Sequence, residues 1–234
     1  MRINENSRLS DRTRLTTATA VVVANFFNVS IFQPLWIIKN GILREDEFTP
    51  NMLVSPGVSV FATEKFELMV LAERIQMRFH SKGYATAEDE LKRVIGGIIR
   101  VLPHTPYTAM GFNLDFRISE PTNISFAKWN RQLFVAEASS RITDPTDDAA
   151  RFGCYVSFNA LGGRMKINML PVHEQQVANT PSGITSSETD SVNAAFNFHT
   201  DVVQPASTDV MMQTLDRWDD TFDLCCELMR KIES

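Results

Sequence analysis

Apolar and polar residues alternate most cleanly between Thr108 and Ile118. Met110, Phe112, Leu114, Phe116 and Ile118 take one side, and Gly111, Asn113, Asp115 and Arg117 take the other. A two-residue period predicts a half-buried β-strand. Arg74–His80 repeats the pattern, with Ile75, Met77 and Phe79 set between Arg74, Gln76, Arg78 and His80, and so does Val192–Val203. A buried strand is expected over Ala18–Phe27, around Val21-Val22-Val23, and a strand pair over Met52–Ala62 and Lys65–Ala72. Phe152–Phe158 and Arg164–Leu170 predict a hairpin across Leu161-Gly162-Gly163.

A 3.6-residue period marks the helices. Ser30-Ile-Phe-Gln33 reads as a capping box, with Pro34 in the first turn of a short helix that ends near Asn40-Gly41. Thr86 opens a second helix. Glu88, Asp89 and Glu90 suit the positive end of its dipole, Leu91, Val94, Ile95, Ile98 and Leu102 form its apolar face, and Pro103 stops it. Gly96-Gly97 in its middle costs about 1 kcal/mol per glycine relative to alanine, and close approach to the sheet is the expected compensation. Phe126, Trp129 and Leu133 predict another short helix. Ser207–Ile232 reads as one long amphipathic helix, with Met211, Leu215, Trp218, Phe222, Cys225 or Cys226, and Met229 on one face. The Ser- and Thr-rich stretch from His173 to Ser191 reads as a long loop, and residues 1–17 as a flexible tail.

Few helices and consecutive runs of strands define an α+β fold: a mainly antiparallel sheet with helices packed on one face and a long C-terminal amphipathic helix. Residues 18–234 are expected to form a single domain, with two halves meeting near residues 120–150 as the alternative division.

Composition adds limits. The chain has 234 residues, 44% of them hydrophobic and 22% charged, as in ordinary globular proteins. Its net charge of −5 argues against a protein that coats DNA or RNA. The charge is uneven: +1 over residues 1–120, −2 over 121–206 and −4 over 207–234. Asp216, Asp219, Asp220, Asp223 and Glu227 crowd the last helix. They are the candidate partner-binding residues, complementary to a basic protein. No apolar run is long enough to span a bilayer, and Met1–Thr17 lacks the apolar core of a signal peptide, so the expected location is the cytoplasm. Cys154, Cys225 and Cys226, an odd number without a CxxC pair, give neither a disulfide framework nor a structural zinc site. One of the adjacent pair is expected in the core and the other at its edge. No metal site and no cofactor are expected.

The chain contains no Walker A loop, no GxGxxG, no GxSxG elbow and no HExxH. Its four histidines stand apart from one another at no ligand spacing. The polar strand faces are the sharper candidates: Asn113, Asp115 and Arg117; Arg164, Lys166 and Asn168; Asn197, His199 and Asp201. If those strands were neighbours, His199, Asp201, Asp115 and Arg117 could form an acid–base centre. The competing reading is a solvated sheet face.

Three segments resemble a family of small uncharacterised bacterial proteins. They are Ser30-Ile-Phe-Gln-Pro-Leu-Trp-Ile-Ile-Lys-Asn-Gly-Ile-Leu, then Phe61-Ala-Thr-Glu-Lys-Phe-Glu-Leu with Glu73-Arg74-Ile-Gln76, and Leu102-Pro-His-Thr-Pro-Tyr-Thr-Ala-Met-Gly-Phe-Asn-Leu-Asp-Phe116. The resemblance covers residues 30–118. It implies a bacterial α+β protein and supplies no catalytic residue. The expected function is therefore a non-enzymatic interaction or adaptor subunit of a bacterial assembly, such as a phage-defence or mobile-element system, with a protein partner or a homo-oligomer. The alternatives are a small-molecule-binding protein or enzyme that uses the polar sheet face, and an oligomeric structural component.

Overall fold

A computed structural model describes residues 8–136, 142–144, 146–180, 183–202 and 208–233, with residues 176–180 and 183–185 described by backbone alone. Nine strands form one antiparallel sheet: β1 (Thr13–Ala24), β2 (Leu53–Val54), β3 (Val58–Ala62), β4 (Phe66–Leu71), β5 (Arg74–Phe79), β6 (Tyr107–Ser119), β7 (Cys154–Ala160), β8 (Gly163–Thr180) and β9 (Gly183–Asp201). The helices are α1 (Pro34–Lys39), α2 (Ala87–Val101), α3 (Phe126–Phe134), α4 (Thr208–Leu215) and α5 (Trp218–Glu233). The order across the sheet is β2-β3-β4-β5-β1-β6-β9-β8-β7.

That order is nearly symmetric about its middle. From the central β1/β6 pair, one side runs β5-β4-β3-β2 and the other β9-β8-β7. Each half also follows one plan along the chain: a central strand, a short helix, antiparallel strands returning to the centre, then helix laid over one face. The division falls between α2 and β6, upstream of the 120–150 stretch suggested by the sequence. Tyr107 stands at this junction, buried, with its hydroxyl donating to Leu102 O at 3.0 Å.

Alternation decides which face is covered. Ala20, Phe112 and Phe198 lie in register on β1, β6 and β9, as do Met77 on β5 and Met165 on β8, and all are buried. Trp218 packs over them, with ring centroids 5.7 Å from Phe79 and 5.2 Å from Phe112. A buried aliphatic or aromatic side chain contributes ~1.5–3 kcal/mol, so this continuous layer carries the fold.

Several expectations change. β1 begins at Thr13, and Thr13 and Leu15 are buried, so residues 13–17 belong to the sheet rather than to a tail; residues 1–7 lie outside the described residues. Serine 30 does not cap a helix. It sits in a 3-10 turn capped by Asn28, and α1 starts at Pro34. The long C-terminal helical stretch is present over 208–233, with a break at Asp216-Arg217 that divides it into α4 and α5. Gly96 makes its close approach to α4, where an added Cβ would lie 3.1 Å from Met212 Cε, rather than to the sheet. Both Cys225 and Cys226 are buried.

The largest change is at residues 173–191. Residues 173–180 and 183–191 are not a loop but the outer parts of β8 and β9, paired from His173↔Asp190 to Thr180↔Gly183. β7 stops pairing at Met169 and β6 at Ser191, so beyond those positions β8 and β9 form a ribbon with no strand on either side among the described residues. Gln175 and residues 186–189 of this ribbon are exposed, and without a core to face a strand needs no apolar alternation.

Candidate functional site

The three polar strand faces do share one surface. Asn113 pairs with Asn197, Asn197 with Lys166, and Lys166 with Ser157. On the other side Asn113 pairs with Thr19, and Thr19 with Arg78. Adjacent strands in register point these side chains to the same face, opposite the one packed against Trp218. Asn197 Nδ2 donates to Asn113 Oδ1 at 2.6 Å.

The acid–base candidates do not gather there as one centre. His199 Nε2 and Asp201 Oδ1 lie 2.9 Å apart, with the histidine side chain 40% exposed and the aspartate 89%. Asp115 pairs with Ala195 and Arg117 with Asn193. Those positions are four and six residues along β9 from His199, ~13 and ~20 Å away at the rise of a strand. Arg117 is occupied: its Nη1 donates to Glu174 Oε1 at 2.6 Å and to Ser191 Oγ at 3.0 Å. Burial pushes the Asp115 carboxyl up, against the opposing pull of the Thr17 hydroxyl and the Arg78 charge.

A cleft of about 490 Å³ opens beside Asp115. Arg14, Thr16, Arg78, His80, Ser81 and Tyr84 line it. The local cause is a register shift in β1 between Leu15 and Thr17, which leaves Thr16 as an extra residue in the strand. Such bulges re-aim the side chains beside them. Thr16 Oγ1 donates to Asp115 O at 3.0 Å. Tyr84 is half-buried, and burial raises its phenol pKa, so it is a hydrogen-bond donor at neutral pH.

The acidic residues of the last helix are partly used within the chain. Asp216 lies 3.4 Å from Lys92 Nζ, and Glu227 accepts from Lys231 Nζ at 2.6 Å. Asp219 and Asp220 occupy the first turn of α5, where the helix dipole favours them. Asp223 is exposed. Burial raises the thiol pKa of all three cysteines, to about 11 at Cys226, which leaves them poor nucleophiles. Among the described residues no three His, Cys, Asp or Glu side chains gather to hold a metal ion. No described helix is long and apolar enough to cross a membrane.

The two edges of the sheet differ. β2 has two residues and lies between Pro50 and Pro56. β7 has seven, Cys-Tyr-Val-Ser-Phe-Asn-Ala, with no proline and no charge. Tyr155 is 62% exposed, Val156 45%, and Leu170 on the neighbouring strand 50%.

No protein-family model matches the chain, and no curated protein matches it significantly in sequence.

Proposed function

We propose that this protein is a non-enzymatic interaction subunit that works as a homodimer joined through the β7 edge. The asymmetry between the two sheet edges carries the reading. An exposed strand presents a row of unpaired N–H and C=O groups, and proteins that work as monomers blunt such edges with proline, charge or short length. The β2 edge is blunted in that way; β7 itself carries neither proline nor charge, and Arg164 of β8 reaches only one of its carbonyls, Ser157 O, at 3.2 Å. Pairing two copies of one edge is closed by a two-fold axis. Because the opposite edge is blunted, the assembly stops at two chains instead of growing into a fibre. Tyr155, Val156 and Leu170 supply apolar contact beside the new ladder.

Sedimentation equilibrium over a range of concentrations tests this. The wild-type chain is expected to pass from monomer to dimer in the micromolar range. Val156→Lys, which places a charge on the edge, should remain monomeric over the same range with an unchanged melting temperature. A wild-type chain that is monomeric throughout, or a Val156→Lys variant that still dimerises, refutes the proposal.

A further inference from the structure

We propose that the cleft beside the β1 bulge binds a phosphoanhydride chain, either pyrophosphate or the polyphosphate of a nucleotide. Charge is the first argument. Arg14 and Arg78 line the cleft, both exposed, and neither forms an ion pair among the described residues. Arg78 stands opposite Glu67 on β4 without closing an ion pair. Arg14 stands directly opposite Arg117 on β6. Like charges in a cross-strand pair are destabilising. Glu174 neutralises Arg117, and among the described residues no carboxylate pairs with Arg14, whose charge a bound anion would relieve.

Shape is the second argument. Arg78 pairs with Thr19, and Arg14 lies five residues further along β1. The two cations therefore start ~15 Å apart, at the two ends of the cleft, which suits an elongated anion better than a single small ion. His80 and Ser81 follow Arg78 towards the Arg14 end. The volume falls within the ~300–1,000 Å³ typical of small-molecule sites.

Donor chemistry is the third. Arginine presents several N–H groups in a planar fork suited to phosphate oxygens, and Ser81 and Tyr84 add hydroxyl donors. Asp115 is the carboxylate close enough to act on Tyr84; burial raises its pKa, and the Arg78 charge pulls it back. The site rests on the open sheet face and not on the β7 edge, so it stands or falls independently of the dimer.

Isothermal titration of the full chain at low salt, with pyrophosphate, tripolyphosphate, ATP, inorganic phosphate and sulfate, tests the proposal. Pyrophosphate or tripolyphosphate should bind at least tenfold more tightly than phosphate or sulfate. Arg14→Gln and Arg78→Gln should each weaken that binding tenfold or more, and Tyr84→Phe a few-fold. Arg74→Gln, an exposed arginine on β5 outside the cleft, should leave it unchanged. Equal affinity for ATP and tripolyphosphate assigns the site to the phosphate chain alone, and tighter ATP binding assigns it to a nucleotide. Absence of binding at millimolar anion, or equal loss in Arg74→Gln, overturns the proposal. Thermal melts of each variant separate loss of the site from loss of the fold.

Discussion

From β1 outward the sheet ends in a two-residue strand between prolines; from β6 outward it ends in a seven-residue strand with neither proline nor charge. The same contrast runs through both halves. The first half closes on itself. Arg93 of α2 donates to Ile42 O at 2.8 Å and pairs with Glu47 at 2.7 Å, and Lys65 at the β4 end holds the buried Glu90 at 2.6 Å. The second half reaches outward, through a bare edge and a two-stranded ribbon. One plan of strands and helices thus serves two ends. The shared part makes the core, and the divergent parts sit where a partner can reach them.

Trp218 joins the halves, because it touches Phe79 of β5 and Phe112 of β6. Trp218→Ala should cost about 3–5 kcal/mol, as large-to-small changes in a packed core do, read from urea unfolding. If the halves are one cooperative unit, the variant unfolds in a single transition at lower urea. Two separated transitions would break the picture of a shared core.

A smaller effect distinguishes the two carboxylates. Burial alone would raise the Glu90 pKa, but hydrogen bonds from Lys65 and Arg93 outweigh it and hold the group below its ordinary value of 4.5. Its contribution is full above pH 4.5 and is lost as pH falls through the lowered folded value. Glu90→Gln should therefore cost about 2 kcal/mol at neutral pH, with the difference from wild type shrinking in acid. Asp115 has the opposite sign. Its raised pKa means that the ionised form opposes folding at neutral pH, and the opposition fades as pH falls towards the ordinary 3.8. Asp115→Asn should raise stability slightly at pH 7 and converge with wild type below that value. Parallel pH series by chemical denaturation would show the two differences with opposite signs; the same sign for both would remove the contrast.

The smallest effect lies within α2. An added Cβ at Gly97 meets only Ile42 Cγ1, at 3.6 Å. Gly97→Ala should gain about 0.5–1 kcal/mol from helix propensity. Gly96→Ala should gain less, because Met212 Cε at 3.1 Å and Arg100 Nη1 at 3.3 Å must move. Equal shifts in urea midpoint would show that α4 does not constrain this glycine.

Legibility followed the core. The β5 and β6 patterns could be read because one face of each strand is dry and the other wet. The ribbon beyond Ser191 could not, since its described residues 175 and 186–189 meet water; threonine's preference for strands is the signal there. The break between α4 and α5 lies at Asp216-Arg217, inside a stretch whose apolar period continues through Leu215 and Trp218. Of the candidate site residues, His199 and Asp201 could be paired from sequence because alternate residues of one strand share a face. The cleft could not be found that way. Arg14, Arg78 and Tyr84 meet through the β1–β5 register and a bulge at Thr16, and neither is encoded in any local pattern.

Glu233 Oε1, at the end of α5, accepts hydrogen bonds from Ser10 Oγ at 2.6 Å and from the Thr13 hydroxyl, at the start of β1. During synthesis β1 precedes its β6 neighbour by about ninety residues, and Glu233 follows later still. One side of the sheet's middle strand is therefore an unpaired edge until β6 follows. Contacts of such long sequence separation also slow folding. The nascent chain is thus exposed to mispairing at β1 until β6 has been made.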